Sequence, residues 1–223
     1  MFTMNWSTKG TDSILIRRLM ANLSFLIRQE QYKHFIILIN PSSKDSVLDV
    51  GTTPDLKLKD SNYFESMFPF KSQLSIASVE DCMGLVKKFG LKKFILIQPN
   101  AKLPFRDKQF DIVTSWATLE HVGSREKQKY FLSELSRVGK KVFVTTPDKY
   151  SIYEPHTTLF FLHWLRPKFF RKIVKLIGKA FWADEKNLNI LSFQEAQKTA
   201  PENLKIKKFK LLGIFSSHLI FWD

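Results

Sequence analysis

Three segments of this 223-residue sequence end an apolar run in polar residues of kinds that bind ligands or move protons. The first is Val47-Leu-Asp-Val-Gly-Thr-Thr-Pro-Asp55, with Asp49 near the tip of the run and Gly51 directly after it. A tight turn that admits a ligand to the backbone needs a residue without Cβ, which Gly51 supplies. Asp49 could accept hydrogen bonds from an ammonium group or order the loop. A dinucleotide fingerprint needs three glycines at set positions; Thr53, Pro54 and Asp55 do not provide them, which argues against NAD chemistry. The second segment ends in Glu80-Asp81. A carboxylate there, Glu80 ahead of Asp81, can take both hydroxyls of a ribose, or it can serve as the N-cap and first-turn acid of a following helix. The third ends in a loop bearing Ser115, Trp116, Glu120 and His121. His121 is the residue type suited to act as a base, with Glu120 as its orienter or hydrogen-bond acceptor; the same pair could merely cap the next helix. Glu154-Pro-His156 is a further polar group able to line an acceptor side. His163 and His218 stand among apolar residues and read as packed or partly exposed, and Cys82 as a small filler. No metal ion is expected.

The elements that position these residues alternate. Ser46–Val50, Leu74–Val79, Phe94–Ile97, Phe110–Ser115 and Lys141–Thr146 read as buried strands. Between them lie a short helix near Asn62–Phe68, a helical stretch through Lys88 stopped by Gly90, and a helix over 125–138 with Tyr130, Phe131, Leu135 and Val138 on one face. Strands alternating with helices predict a mostly parallel sheet with crossover helices. Leu204–Gly213 and Ser217–Trp222 read as a closing antiparallel pair. An N-terminal helix over 11–30, capped by Thr11 or Asp12, precedes the apolar run Phe35–Ile39 and the Asn40-Pro-Ser-Ser breaker.

The composition, 44% hydrophobic with 21 Phe, is that of a globular chain. No run of 18 apolar residues and no signal-peptide pattern occurs, and the one cysteine cannot form an internal disulfide, so a cytoplasmic protein is expected. The net charge of +14 points to a polyanionic neighbour, either nucleic acid, anionic lipid or a phosphorylated substrate, or else reflects lysine written wherever solvent permits.

The pattern Leu103-Pro-Phe-x-Asp-x-x-Phe-Asp-Ile-Val113, then Leu119-Glu-His-Val122, closely resembles the class I methyltransferase family, in particular its small-molecule type 11 branch. Arg137-Val-Gly-Lys-Lys-Val-Phe-Val-Thr-Thr-Pro147 is similar to the same family's lead into strand five, and Val47–Gly51 stands at the expected distance upstream. The resemblance covers about residues 45–150. It implies a Rossmann-like, doubly wound α/β fold with a seven-stranded, mostly parallel sheet, an antiparallel last strand pair and a helical insert between strands five and six. It implies S-adenosylmethionine across the tips of strands one, two and four. Asp49 and Gly51 would face its methionine part, Glu80 its ribose, and Pro99-Asn100-Ala101 its adenine, with Thr53 and Ser115 completing the cofactor-binding set. The chain departs from the family where Thr53 and Asp55 replace glycines and where Pro99 or Asn100 replaces an acid.

A single domain is expected, with a helical extension over 1–44, a cofactor-binding core over 45–150, an acceptor-side helical insert over 151–200 and closing strands over 201–223. The insert carries a basic amphipathic helix over 168–182. Phe169, Phe170, Ile173, Val174, Ile177 and Phe181 form its stripe, and Lys168, Arg171, Lys172, Lys175 and Lys179 its opposite face. It reads either as a lid packed on the domain, the favoured alternative, or as a peripheral contact with anionic membrane. The function expected is methyl transfer to a small-molecule or lipid- or saccharide-linked acceptor. The rivals are an RNA-directed methyltransferase, favoured by charge alone, and an inactive binding protein with the same fold.

Overall fold

The computed structural model describes residues 14–56, 60–211 and 215–223, with side chains described for 22–56, 60–210 and 217–223. Five strands, β1 (Val47–Val50), β2 (Leu74–Ser78), β3 (Lys93–Leu96), β4 (Phe110–Trp116) and β5 (Gly139–Pro147), run parallel. Two two-residue strands, β6 (Tyr153–Glu154) and β7 (Leu159–Phe160), make a separate hairpin, and β8 (Lys205–Leu211) and β9 (Phe215–Trp222) close the main sheet. Its order is β3-β2-β1-β4-β5-β9-β8, with β9 antiparallel to both neighbours. This is the seven-stranded, doubly wound sheet expected.

Strand side chains alternate between two cores. On β1, Val47 joins one and Leu48 the other; on β4, Ile112 and Val113 divide likewise, as do Phe143 and Val144 on β5. Burial on both sides explains why these strands read as continuous apolar runs. One face is covered by α1 (Ile14–Ile39), α2 (Tyr63–Met67) and α3 (Met83–Phe89), the other by α4 (Arg125–Val138) and α6 (Phe193–Thr199). The fully buried Phe35 of α1 is central to the first core, with ring centroids 5.2 Å from Phe64 and 5.4 Å from Phe143. The first helix therefore does not stop near residue 30: it continues through Phe35–Ile39, because those residues supply its contact with the sheet. Its proposed caps, Thr11 and Asp12, lie outside the described residues.

On α4 the buried face is Gln128, Leu132, Leu135 and Val138, whereas Tyr130 is exposed. Gly90 ends α3 with φ +67, the left-handed geometry its residue type favours. The insert helix, α5 (Pro167–Leu176), is shorter than the 168–182 expected, because the chain turns at Gly178 (φ +81) before a 3₁₀ turn over Ala180–Ala183. Among the described residues no helix is long and apolar enough to cross a membrane.

Candidate functional site

The strand order reverses between β1 and β4, and in parallel sheets that is where a crevice opens at the carboxyl ends. A cavity of about 780 Å³ lies there, and its wall includes Asp49, Gly51, Glu80, Asn100, Glu120 and His121. Thr53 also reaches it. Ser115 does not: it is fully buried and donates its hydroxyl to the Val50 carbonyl at 2.8 Å, tying β4 to β1 instead of facing a ligand. The two acids after β2 separate by role. Glu80 lines the cavity, while Asp81 Oδ1 accepts from Met83 N–H at 2.9 Å at the start of α3.

The loop after β1 holds its shape without the family's glycines. Neither Thr53 nor Asp55 has a positive φ, and Asn62 braces both by donating from Nδ2 to their carbonyls at 2.8 Å. Gly51 differs. Its φ is +100, and a Cβ there would overlap the Thr118 side chain, so its substitution would strain the turn whether or not a ligand were bound.

Asp49 is buried in the middle of the sheet, accepting from Thr114 Oγ1 at 2.5 Å on the neighbouring strand. Its carboxyl also shares a hydrogen bond with the buried Glu65 of α2. Burial pushes the Asp49 carboxyl well above the ordinary carboxylate range, and the Glu65 charge adds to the effect. Glu65 is raised too, chiefly by burial, although its bond with Asp49 opposes the rise, so the shared proton sits on Asp49. Arg28 of α1 supplies the compensating charge to both acids and to Glu120. Arg28 and Glu65 were not singled out in the sequence. One lies in an apolar helix and the other in a five-residue helix, and only the tertiary approach of both to Asp49 makes them a site.

A second polar cluster lines the same cavity. His121 donates from Nδ1 to the Asn187 carbonyl at 2.6 Å, leaving Nε2 as its acceptor nitrogen, 3.0 Å from His156 Nε2. His156 Nδ1 faces Glu154 Oε1 at 2.5 Å. Burial alone would lower His156, but the Glu154 carboxylate outweighs it and the imidazole is raised; His121 is lowered, by burial and then by its neighbour. Burial would raise Glu154, but the imidazolium and the bonds from Thr157 hold it down to about 2. The base expected at position 121 thus has its acceptor lone pair directed at a neighbouring imidazolium. Glu120 accepts from Thr146 Oγ1 at 2.9 Å through one carboxylate oxygen. His218 also lines the cavity, pushed down to about 3 by burial and then by the nearby cations, and stays neutral, whereas His163 packs beside Ser151 away from it.

The Leu103–Val113 pattern has a structural basis. Arg137 of α4 donates to Glu134, Asp107 and the Phe105 and Leu103 carbonyls, while Glu134 accepts from Leu103 N–H at 2.7 Å. This clasp fastens the turn before β4 to the helix after it.

Residues 73–142 match the family model described as a methyltransferase domain. Similar solved structures include a SAM-dependent methyltransferase from Aquifex aeolicus at 17% identity and TM-score 0.52, covering 96% of this chain and 99% of that one. Geranyl diphosphate C-methyltransferase from Streptomyces coelicolor aligns at 13% identity and TM-score 0.57, covering 97% and 86%. A SAM-dependent methyltransferase from Archaeoglobus fulgidus aligns at 13% identity and TM-score 0.53, covering 89% and 93%. Curated proteins return no match. The family model covers 70 of the 223 residues, about a third of the chain, and the solved structures show that the chain has the fold of S-adenosylmethionine-dependent methyltransferases. Its crevice has the means to hold that cofactor: a continuous cavity at the switch point, the Glu80 carboxylate on its wall, and a buried Thr52 hydroxyl there that lacks a partner among the described residues.

The buried acids make the protein's stability depend on pH. A carboxyl whose folded pKa is raised contributes stability below its unfolded value, about 3.9, and that contribution is lost as pH rises through the folded value. A carboxamide in place of the Asp49 carboxyl would keep an acceptor for Thr114 and a donor for Glu65 without the charge. Asp49→Asn should therefore raise the melting temperature of the free protein, and by more at pH 8 than at pH 5. Melts across that range that track the unchanged protein in parallel would contradict the assignment.

Proposed function

We propose that this methyltransferase transfers a methyl group to a small, lipid-linked or otherwise amphipathic acceptor at a membrane face. The observation that carries the reading is the outer surface of the insert. Phe160, Phe161, Trp164, Leu165, Phe169 and Leu176 are all exposed there, and Phe160 also lines the cavity. Exposed apolar side chains gathered in one insert with cations among them, Phe161 in ring contact with both Phe160 and Trp164, mark an interaction site for an apolar phase. The lid reading accounts for Phe170 and Val174, which pack on Leu188 and Ile190, but not for Phe169, Ile177 and Phe181, which stay exposed. The cationic face divides similarly. Lys179 donates to the Thr157 carbonyl at 2.6 Å and Arg171 pairs with Glu185 at 3.5 Å, while Lys168, Lys172 and Lys175 are exposed.

Within the crevice, Glu80 would take the ribose hydroxyls, Asn100 with Pro99 and Ala101 would flank adenine, and Asp49, Gly51 and Thr53 would face the methionine part. Bound there, S-adenosylmethionine supplies an electrophilic methyl group. Displacement at a methyl carbon depends mainly on alignment, so the protein's part is to orient the acceptor and exclude water. His121 and Glu120 would orient the acceptor through the polar cluster; His121 would accept a proton only after His156 turns away from it.

Glu80→Ala should weaken S-adenosylhomocysteine binding by about 1–3 kcal/mol, the scale for an unmade hydrogen bond to a charged group, while Asp81→Ala leaves it unchanged. Equal losses in calorimetric titrations of the two variants would refute the assignment. For the membrane reading, the protein should sediment with phosphatidylglycerol vesicles, and Phe161→Ser with Phe169→Ser should release it without lowering the melting temperature. Retention by neither anionic nor neutral vesicles would remove the lipid surface from the account.

A further inference from the structure

The polar cluster on the acceptor wall has an arrangement that neither methyl transfer nor cofactor binding requires. His121 and His156 present their Nε2 atoms to each other at 3.0 Å, and Glu120 Oε1 lies 3.9 Å from His121 Nε2. One ligand atom from each of the three lies within 4.8 Å of the others. Each imidazole is held from behind through its other nitrogen, His121 by the Asn187 carbonyl at 2.6 Å and His156 by Glu154 at 2.5 Å. A backbone carbonyl or carboxylate behind the ring is what fixes the tautomer and direction of metal-bound histidines. Glu154 is in turn held by the Thr157 hydroxyl at 2.6 Å, so the support extends a further layer.

The second observation is Glu120 itself. Its side chain is fully buried, and among the described residues Oε1 has no hydrogen-bond partner although Glu120 lies on the cavity wall. A buried carboxylate oxygen left without a partner is costly, and a cation is the partner that relieves it. Arg28 acts on Glu120 through its charge.

We propose that Glu120, His121 and His156 form a binding site for one divalent first-row transition ion, with its remaining coordination positions open to the cavity. Ligands about 2.0–2.1 Å from one zinc ion stand roughly 3.0–3.4 Å apart, so the two nitrogens are already at bonding separation and Glu120 needs only a small side-chain shift. Two imidazoles with one carboxylate favour Zn²⁺, Fe²⁺, Co²⁺ or Mn²⁺ over Mg²⁺, which takes oxygen ligands. The Trp182 ring, its centroid 5.0 Å from that of His156, walls the cluster on one side. The open positions would take an oxygen of the acceptor, a hydroxyl, phosphate or carboxylate, and lower the proton affinity of a bound hydroxyl. The ion would take the place of the hydrogen bond between the two histidines.

The test uses untagged full-length protein, freed of metal by a chelator and titrated with Zn²⁺ against a chromophoric indicator, and separately with Co²⁺ followed by visible absorption. The expected result is one equivalent of Zn²⁺ bound and a Co²⁺ spectrum typical of low coordination number. His156→Ala and Glu120→Gln should each lose that spectrum, and Glu154→Gln should weaken Zn²⁺ binding by about 10–100-fold through loss of the supporting carboxylate. His163→Ala, outside the cluster, should bind as the unchanged protein does. S-adenosylhomocysteine titrations of the same variants separate this proposal from the cofactor reading, since cofactor affinity should survive in all of them. Absence of stoichiometric Zn²⁺ and of the Co²⁺ bands in the unchanged protein would overturn the site. So would equal Zn²⁺ binding by folded His156→Ala and Glu120→Gln proteins, and the Co²⁺ spectrum of the unchanged protein decides the matter if those variants do not fold.

Discussion

The burial of Asp49 is the constraint around which this molecule is arranged. The Asp49 carboxyl, at the crevice end of a central strand in a two-faced parallel sheet, is almost wholly withdrawn from solvent, and its neighbours compensate for that. Thr114 does so from the adjacent strand, Glu65 from α2 by sharing a proton, and Arg28 from α1 by charge. The first helix thus has two functions on one surface. Phe35 and Ile39 cover the sheet at one end, and Arg28, about two turns earlier, compensates the acids at the strand tips. A crevice with such a floor is prepared for a cationic ligand, since a positive group arriving beside Asp49 would favour its ionised form.

Much of this was legible in the residues. The five apolar strands, the stops at Gly51 and Gly90 and the closing antiparallel pair all follow from local pattern and turn chemistry, and each strand lies within one residue of its expected bounds except β5 and the closing pair, where an end moves by two. The Leu103–Val113 pattern was legible for a reason not apparent in one dimension. It is fixed by the Arg137–Glu134 clasp, which ties the turn before β4 to α4. Ser115 shows the complementary error. A hydroxyl at a strand tip has two directions available with period two, and here it faces the inner core, away from the cavity.

What could not be read in the sequence depends on long-range contact. Glu65 and Arg28 are 37 residues apart in sequence, and only the tertiary fold brings their charges together beside Asp49. His121 and His156 are separated by 35 residues, and their meeting needs the β6–β7 hairpin on one side and Asn187 on the other. The insert illustrates a further limit. Its helical periodicity is clear, but periodicity cannot say how wide a stripe the domain will cover, and α5 buries only Phe170 and Val174 of the stripe expected. The remainder of that stripe, Phe169, Ile177 and Phe181, stays exposed.

The central claim is that the β1–β4 crevice holds S-adenosylmethionine against the acid pair and Glu80. Its most direct test is a crystal structure of the protein with S-adenosylhomocysteine. The account predicts the ligand across the tips of β1, β2 and β4, with its ribose hydroxyls within hydrogen-bonding reach of Glu80 and its adenine beside Asn100. A crevice that stays free of ligand at saturating concentration, or a ligand seated elsewhere on the molecule, would contradict it.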